Sequence, residues 1–470
     1  AIAWIGNSIR THDNTALVRA SQDHDEVLPL FIVDVEHSQE EPGYPTAKFR
    51  KDCLQEMREN LTEEGKTLCV RQGETVEELE KVVEEVGADA VYRNKHYTPY
   101  RRETRQEAKE TLDVPLNAFN DRVIFEEEEI LTNSGTPYKV YSYYRNKWMK
   151  KEKRKPEEPE SFNTPDVEPG SIAGPEELGV EAPDDMEVWE GGRENGLEGL
   201  REFTKQKVGD YDDRRDLAAE YGTSALSPHL KFGTVSPREA FWASQRAQAK
   251  GQDEEGVETW QEELAWRDYY MQILHNYPHE VDEPFMDKYR GNEPDWDSKE
   301  ETPEKWQAWV EGKTGYPFVD AGMRQLRKTG WMHNRLRMVT TNFSCKDLWL
   351  EWRDVHDYFN RMFVDAEIAS MVGGIQWSYS IGTDAQPYFR VFNPITQGER
   401  YDEDGEYIRR WVPELEDVPD EHIHEPWKMS KDEQQACDVE IGEDYPEPIV
   451  DHDTMRKKSV DRFEKAAPET

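Results

Sequence analysis

The sequence predicts a two-part molecule, an α/β N-terminal domain on a Rossmann-like parallel sheet followed by a large all-α domain. Over residues 1–130 short β-branched runs alternate with helical ones, the order of a parallel sheet covered by helices. From Leu197 to about Glu414 the apolar and aromatic residues recur at spacings of three and four, which is a helical period. Between the two lies a stretch rich in Glu, Pro and Gly.

In chain order, Ile2 to Ile5, Leu28 to Val35, Thr67 to Val70 and Ala90 to Tyr92 read as strands, and Thr75 to Val86 reads as a helix. Residues 131–196 read as an exposed interdomain connector, acidic and Pro-rich in part, because few positions between Lys150 and Asn195 can bury an apolar face. Residues 197–416 form the helical domain, and residues 417–470 read as an acidic polar C-terminal extension. No repeat of solenoid length is present.

The 470 residues carry 59 Lys plus Arg against 100 Asp plus Glu, a formal charge of −41. At ordinary ionic strength such a field repels nucleic acid, and high salt screens it. The composition therefore reads as an acidic surface suited to a salt-rich, halophilic cytoplasm. Cys53, Cys69, Cys345 and Cys437 stand far apart, so neither a disulfide framework nor a metal site is expected. No apolar run approaches the roughly 20 residues needed to cross a bilayer, and no basic-then-apolar leader is present, so a soluble, cytoplasmic protein is expected.

Three clusters carry chemistry. In Trp260-Gln261-Glu262-Glu263-Leu264-Ala265-Trp266-Arg267-Asp268-Tyr269-Tyr270, a helix puts Glu263, Trp266, Arg267 and Tyr270 on one face. An aromatic plate beside a carboxylate and a cation suits a base flipped out of a duplex, and the same stripe also reads as ordinary helix packing. Arg324, Arg327 and Lys328 precede His333, Asn334, Arg335 and Arg337; these cations either hold phosphate or pair with neighbouring acids. Tyr211 with Thr223, Ser224, Leu226 and Ser227 offers hydroxyls and N–H groups where a helix begins, suited to a pyrophosphate or to capping. Gly312-Lys313-Thr314 mimics the end of a P-loop but lacks the earlier glycine.

Five stretches then occur in order: Thr223 to Gly233, Thr314-Gly315-Tyr316-Pro317, Trp331 to Met338, Gly373-Gly374-Ile375-Gln376-Trp377, and Gly382 to Arg390. Together they resemble the flavin-binding core of the photolyase/cryptochrome family, closest to class I-type cyclobutane pyrimidine dimer photolyases, with a haloarchaeal-like acidic composition. The N-terminal match is looser and keeps Arg10, Asp13 and Asn14. The resemblance implies FAD bent into a U inside the helical domain; excited in its reduced form, it lends an electron to a pyrimidine dimer. It implies flavin contacts at Tyr211, Thr223, Ser224, Ala225, Leu226, Ser227, Trp260, Arg267, Arg337, Asp365, Ala366, Glu367 and Met371, with Arg337 paired to Asp365. Glu263, Trp266, Asn334, Met338 and Trp377 would meet the lesion, and Arg267, Tyr270 and Arg335 would join them on DNA. A second, antenna chromophore (a deazaflavin or folate) is implied without an assigned pocket. UV-damaged DNA is the expected partner, with a monomeric protein and no membrane.

Two positions depart from the family. Met371 stands where dimer-repairing members place an asparagine opposite the flavin's N5, and a thioether cannot make the amide's hydrogen bonds. Ile375 stands where the flavin-proximal member of a tryptophan relay belongs, leaving Trp352 and Trp296 as matches to its middle and outer members. The lesion-side residues favour a deoxyribodipyrimidine photo-lyase; the two departures fit the alternative of a cryptochrome-like photoreceptor.

Overall fold

The structure, a computed structural model, describes residues 1–34 and 43–466. Its sheet has five parallel strands: β1 (Ile2–Ile5), β2 (Leu28–Val33), β3 (Cys69–Gln72), β4 (Val91–Asn94) and β5 (Leu116–Phe119), in the order β3-β2-β1-β4-β5. Trp4 of β1 registers with Leu30 on one side and Arg93 on the other, so the chain reverses its direction of growth between β1 and β4. β1 and β2 are buried throughout, as parallel strands covered on both faces are. The helix expected from Thr75 to Val86 is present; the Glu74 carboxylate caps it and Gly87 ends it at φ +61°.

Differences from the sequence reading have local causes. β2 ends at Val33, and Val35 lies outside the described residues. β3 begins later than expected because its register with β2 starts at Leu30 opposite Cys69. β5 was not foreseen: Leu-Asn-Ala-Phe has no β-branched residue and its positions are half-buried.

The connector is not an exposed strap. It contains a helix, Tyr141–Lys150, whose Tyr144 and Trp148 are buried, with Trp148 Nε1 donating to Asp268 at 2.9 Å. Beyond it the chain returns along the sheet, where Val27 N donates to Asn163 O and Val70 N to Pro169 O, both at 2.8 Å, and Phe162, Ala173 and Leu178 enter the α/β core. Backbone pairing, which has no apolar period, holds this segment. The expected acidic extension is likewise corrected: Val418, Ile423, Met429, Val439, Tyr445 and Phe463 are buried in the core of the helical domain. His452 Nδ1 lies 2.7 Å from the buried Asp347 carboxylate, and Tyr445 donates to Asp320 at 2.5 Å. Single apolar residues seated one at a time among acids leave no periodic signature.

The two domains meet through a buried four-charge cluster. Arg10 Nη2 contacts Asp121 at 2.8 Å, while Arg238 reaches Asp121 at 2.9 Å and Asp13 at 3.0 Å, all with side chains at most 3% exposed. Burial alone would raise the Asp121 carboxyl, but Arg10 and Arg238, helped by the Ser8 hydroxyl, hold it well below the usual carboxylate range. Such a cluster is tolerated only because each charge is paired and hydrogen-bonded, so removing any one member would strand the others. No helix of the described residues is long and apolar enough to cross a membrane.

Candidate functional site

The site is a circuit of four segments. The first is the Glu254–Asn276 helix, N-capped by Asp253, along which Glu263, Trp266, Arg267 and Tyr270 are half-buried together as the three, four and seven spacing requires. Trp260 lies inside the helix packing, 5.2 Å from Phe203, which is itself 5.7 Å from Tyr211. The second segment, the short Tyr211–Arg214 helix with Arg215 and Asp216, ties the first to the third. Arg215 Nη1 donates to Glu263 Oε1 at 2.5 Å, and Arg335 Nη2 donates to Asp216 at 2.7 Å. Burial pushes the Glu263 carboxyl up, and Arg215 opposes that shift.

The third segment is the Asn334–Phe343 helix. Its Arg337 Nη2 donates to both Asp365 oxygens, at 3.0 and 2.8 Å, while the guanidinium lies 4.0 Å over Phe363. Asp365 leads into the fourth segment, the Ile368–Ser378 helix, which returns to the first at Gly373. A Cβ on Gly373 would sit 2.2 Å from Tyr270 Cδ1, so the close crossing of these two helices requires glycine there.

The loop before the Ser227–Phe232 helix borders the circuit. Leu226 is the N-cap position and its own side chain caps nothing, while Ser224 Oγ accepts from Leu226 N at 3.5 Å, a long contact that keeps the capping alternative at Ser224. Both residues are half-buried, and Ala225 turns the chain at φ +51°. Ser227 Oγ accepts from Trp331 Nε1 at 3.2 Å, and Arg267 Nη2 donates to Leu230 O at 3.2 Å.

The residues fit a ligand rich in acceptors. A Cβ at Gly374 would meet nothing within 4 Å, which is open space on a helix otherwise packed into the domain. Among the described residues Arg335 Nε is buried without a hydrogen-bond partner, and His333 Nε2 makes no well-formed bond although the Arg215 backbone faces its ring; buried polar atoms seldom stay unmatched. Burial lowers His333 to about 4, and its Nδ1 accepts from Arg335 N at 3.2 Å, so Nε2 carries the proton and is a donor.

Asn334 is exposed at the head of its helix, and Met338, Met371 and Trp377 are half-buried. Arg335, expected on phosphate, is paired with Asp216 and stacked 4.3 Å from Tyr401, the acid-pairing alternative for that cation. Ala366 and Glu367 face the interdomain cavity, where Arg122 donates to Glu367 and Arg267 lies 4.0 Å away. Trp296, Trp352 and Ile375 are all buried in the helical core; Trp352 Nε1 donates to Glu293 at 3.0 Å and Trp296 lies 5.3 Å from the Tyr379 ring. Sequence reasoning missed Arg215, Asp216 and Tyr141. Arg215 sits one helical turn after Tyr211, a signal that was available. Tyr141 stacks on Trp266 at 3.5 Å with planes 10° apart, and nothing local announces it.

A cavity of about 90 Å³ lies between the domains and is lined by Asn7, Arg50, His96, Arg101, Lys231 and Glu367 among others. Asn7 follows β1 and His96 follows β4, so the cavity opens at the point where the strand order reverses, the crevice where open α/β sheets take ligands. Burial brings Lys231 down to about 8 and Arg50 to about 10, the response of cations gathered in one enclosure.

Residues 1–161 match the family model described as DNA photolyase, and residues 260–465 match the model described as the FAD binding domain of DNA photolyase. A deoxyribodipyrimidine photo-lyase of Halobacterium salinarum is 38% identical, across 98% of this chain and 98% of its own. A bacterial class III photolyase from Agrobacterium tumefaciens superposes with a TM-score of 0.91 at 31% identity, over 99% of this chain and 97% of its own. An archaeal photolyase from Sulfolobus tokodaii, described with two FAD molecules, gives 0.80 at 32% identity, over 98% and 99%.

Proposed function

The chain belongs to the DNA photolyase family, and from that premise and the geometry of the circuit we propose that it is a light-driven deoxyribodipyrimidine photo-lyase that uses FAD to split cyclobutane pyrimidine dimers in UV-damaged DNA. The observation that carries the reading is the half-buried face of Glu263, Trp266 and Tyr270 on one helix, tied through Arg215 and Asp216 to the helix that carries Arg335 and Arg337. A flipped base and a flavin would thus be held by one continuous wall.

Trp266 offers an aromatic face for the extruded pair, and Glu263 offers a carboxylate for its polar edge. Arg215 holds that carboxylate in place. Arg337 with Asp365, Tyr211, Trp260 and the Thr223–Ser227 loop would hold the FAD, with Thr223 and Ser224 hydroxyls and the N–H groups of the helix start serving its pyrophosphate. Bound and reduced, FAD supplies on illumination the electron that opens the cyclobutane ring and then receives it back. The protein contributes proximity, orientation and exclusion of water. By the family resemblance Met371 and Ile375 belong to the cofactor's side and Glu263, Trp266 and Tyr270 to the lesion's side, so the departures would bear on how the flavin is tuned and refilled before they bear on splitting.

The cavity at the β1–β4 reversal lies where open α/β sheets take ligands, but at about 90 Å³ it is smaller than a deazaflavin or folate, so a second chromophore seated there would extend beyond it. Acid release of small molecules from the purified protein, followed by their absorption spectra, checks whether one flavin or two species are carried.

The deciding experiment is repair itself: protein reduced with dithionite and loaded with FAD, dimer-containing DNA, blue light and molar salt. Light-dependent loss of dimers is expected; its absence rejects the lyase reading.

A further inference from the structure

Between Lys139 and Lys155 stand eight lysines and arginines against a single acid, Glu152, in a chain whose net charge is −41. Some of these cations are engaged. Arg145 donates to Glu262, Lys151 pairs with Glu129 at 2.9 Å, and the buried Lys153 donates to Trp148 O at 2.6 Å. Lys147, Lys150, Arg154 and Lys155 are exposed, and among the described residues none of them makes an ion pair. Lys147 donates only to a carbonyl, that of Leu131, and Lys155 lies 5.5 Å over the Trp242 ring.

The position of these cations gives the charge a direction. The Tyr141–Lys150 helix begins with Tyr141 against Trp266, so it starts at the lesion wall and carries its cations outward. Along its exposed side run Tyr143, 63% exposed, then Lys147 and Lys150 at helical spacing, and Arg154 follows. At 1.5 Å per residue Lys150 lies about 14 Å along the axis from Tyr141. That is on the order of four nucleotide steps of a duplex strand. The groove beside the helix is lined by Lys150, Lys151 and Lys153 but also by Glu152, Glu254 and Glu258, a poor enclosure for a small free anion. An open line of cations suits a line of phosphates instead.

We propose that Tyr143, Lys147, Lys150, Arg154 and Lys155 form a second DNA contact, holding the sugar–phosphate backbone of the strand that flanks the extruded dimer. The inference rests on the photo-lyase reading for the identity of the duplex, and it explains how so acidic a protein engages a polyanion: local sign decides, and this stripe is a run of positive charge leading from the site.

The test uses the FAD-loaded full chain and duplex DNA with and without a dimer, titrated across a range of KCl. The variant Lys147→Ala/Lys150→Ala/Arg154→Ala should lower the slope of log affinity against log salt by about 2–3, since each lost phosphate contact removes about 0.9. Affinity at the lowest salt should fall roughly tenfold, while the preference for dimer over intact duplex persists. A control, Lys313→Ala/Lys428→Ala/Lys431→Ala, removes the same charge elsewhere and should leave the slope as it was. An unchanged slope in the stripe variant, or an equal fall in the control, overturns the inference. Wild-type protein that shows no preference for dimers defeats the photo-lyase reading instead, and the slope on intact duplex still decides the stripe.

Discussion

Trp266 lies face to face with Tyr141, with ring centroids 3.5 Å apart and planes 10° apart. Tyr141 is buried and held at both ends: its hydroxyl donates to Glu262 O at 2.8 Å and its backbone N–H to Asp384 at 3.1 Å. A ring so fixed acts as a stop for the indole, which also lies 5.4 Å from the Tyr270 ring. Aromatic pairs contribute about 0.5–1.5 kcal/mol beyond their buried area. Tyr141→Leu should therefore weaken binding of dimer-containing DNA about 3–10-fold, and Tyr141→Phe, which keeps the ring, should bind nearly as wild type. Equal affinities for wild type and Tyr141→Leu would remove Tyr141 from the site's machinery.

Adjacent glycines in the Ile368–Ser378 helix make opposite predictions. Alanine at Gly373 would drive a methyl group into the Tyr270 ring, so Gly373→Ala should destabilise the apo-protein by about 1–3 kcal/mol in urea unfolding. Alanine at Gly374 meets open space and improves helix propensity by about 0.5–1 kcal/mol, so Gly374→Ala should fold at least as well as wild type. If that space is where the flavin rests, Gly374→Ala should nevertheless retain less FAD after gel filtration. Normal flavin content in Gly374→Ala would place the cofactor elsewhere.

The parts of the site that share one element were legible in the sequence. Glu263, Trp266, Arg267 and Tyr270 needed only a period of 3.6, and Arg337 with Asp365 came from a family word that the structure places as a bidentate pair. What the sequence left hidden depends on the return of distant chain. Tyr141 reaches Trp266, and Phe463 reaches the helical core, through single side chains with no repeat around them. The segment after Lys150 is held to the sheet by backbone hydrogen bonds such as Val70 N to Pro169 O, which place no demand on composition. Charge was misleading for the same reason: averaged over the C-terminal stretch it reads as solvated surface, whereas the few apolar residues within it are buried.

The relay gap predicts a spectroscopic difference. Ile375 is buried in the same core cluster as Trp352 and Trp296, and an aliphatic side chain cannot be oxidised as an indole can. Ile375→Trp should speed the light-driven bleaching of oxidised FAD several-fold when an external thiol is present, with dimer affinity unchanged. Met371→Asn restores an amide with hydrogen-bonding capacity and should instead shift the flavin's midpoint potential. Bleaching at the wild-type rate in Ile375→Trp would mean that electrons already reach the flavin by another path.

Buried histidines set the acid limit of the fold. Burial lowers both His229 and His333 to about 4, below the ordinary value of 6.5, and each accepts a role as a neutral ring: His229 Nδ1 lies 2.9 Å from Thr234 Oγ1, and His333 Nδ1 accepts from Arg335 N. Because the folded values are depressed, the unfolded chain binds more protons as pH falls, so stability is full above about 6.5 and is lost as pH falls toward 4. Each ring contributes up to about 1.4 kcal/mol of loss per pH unit across that window. Burial raises the Asp268 and Asp347 carboxyls to about 6, so the folded chain takes up protons there over part of the same window and offsets the loss. The imidazole is therefore read by difference: between pH 6.5 and 4.5 the urea midpoint of His229→Gln should fall less than that of wild type, by about one proton in slope, and parallel profiles for the two would show that His229 is not held neutral.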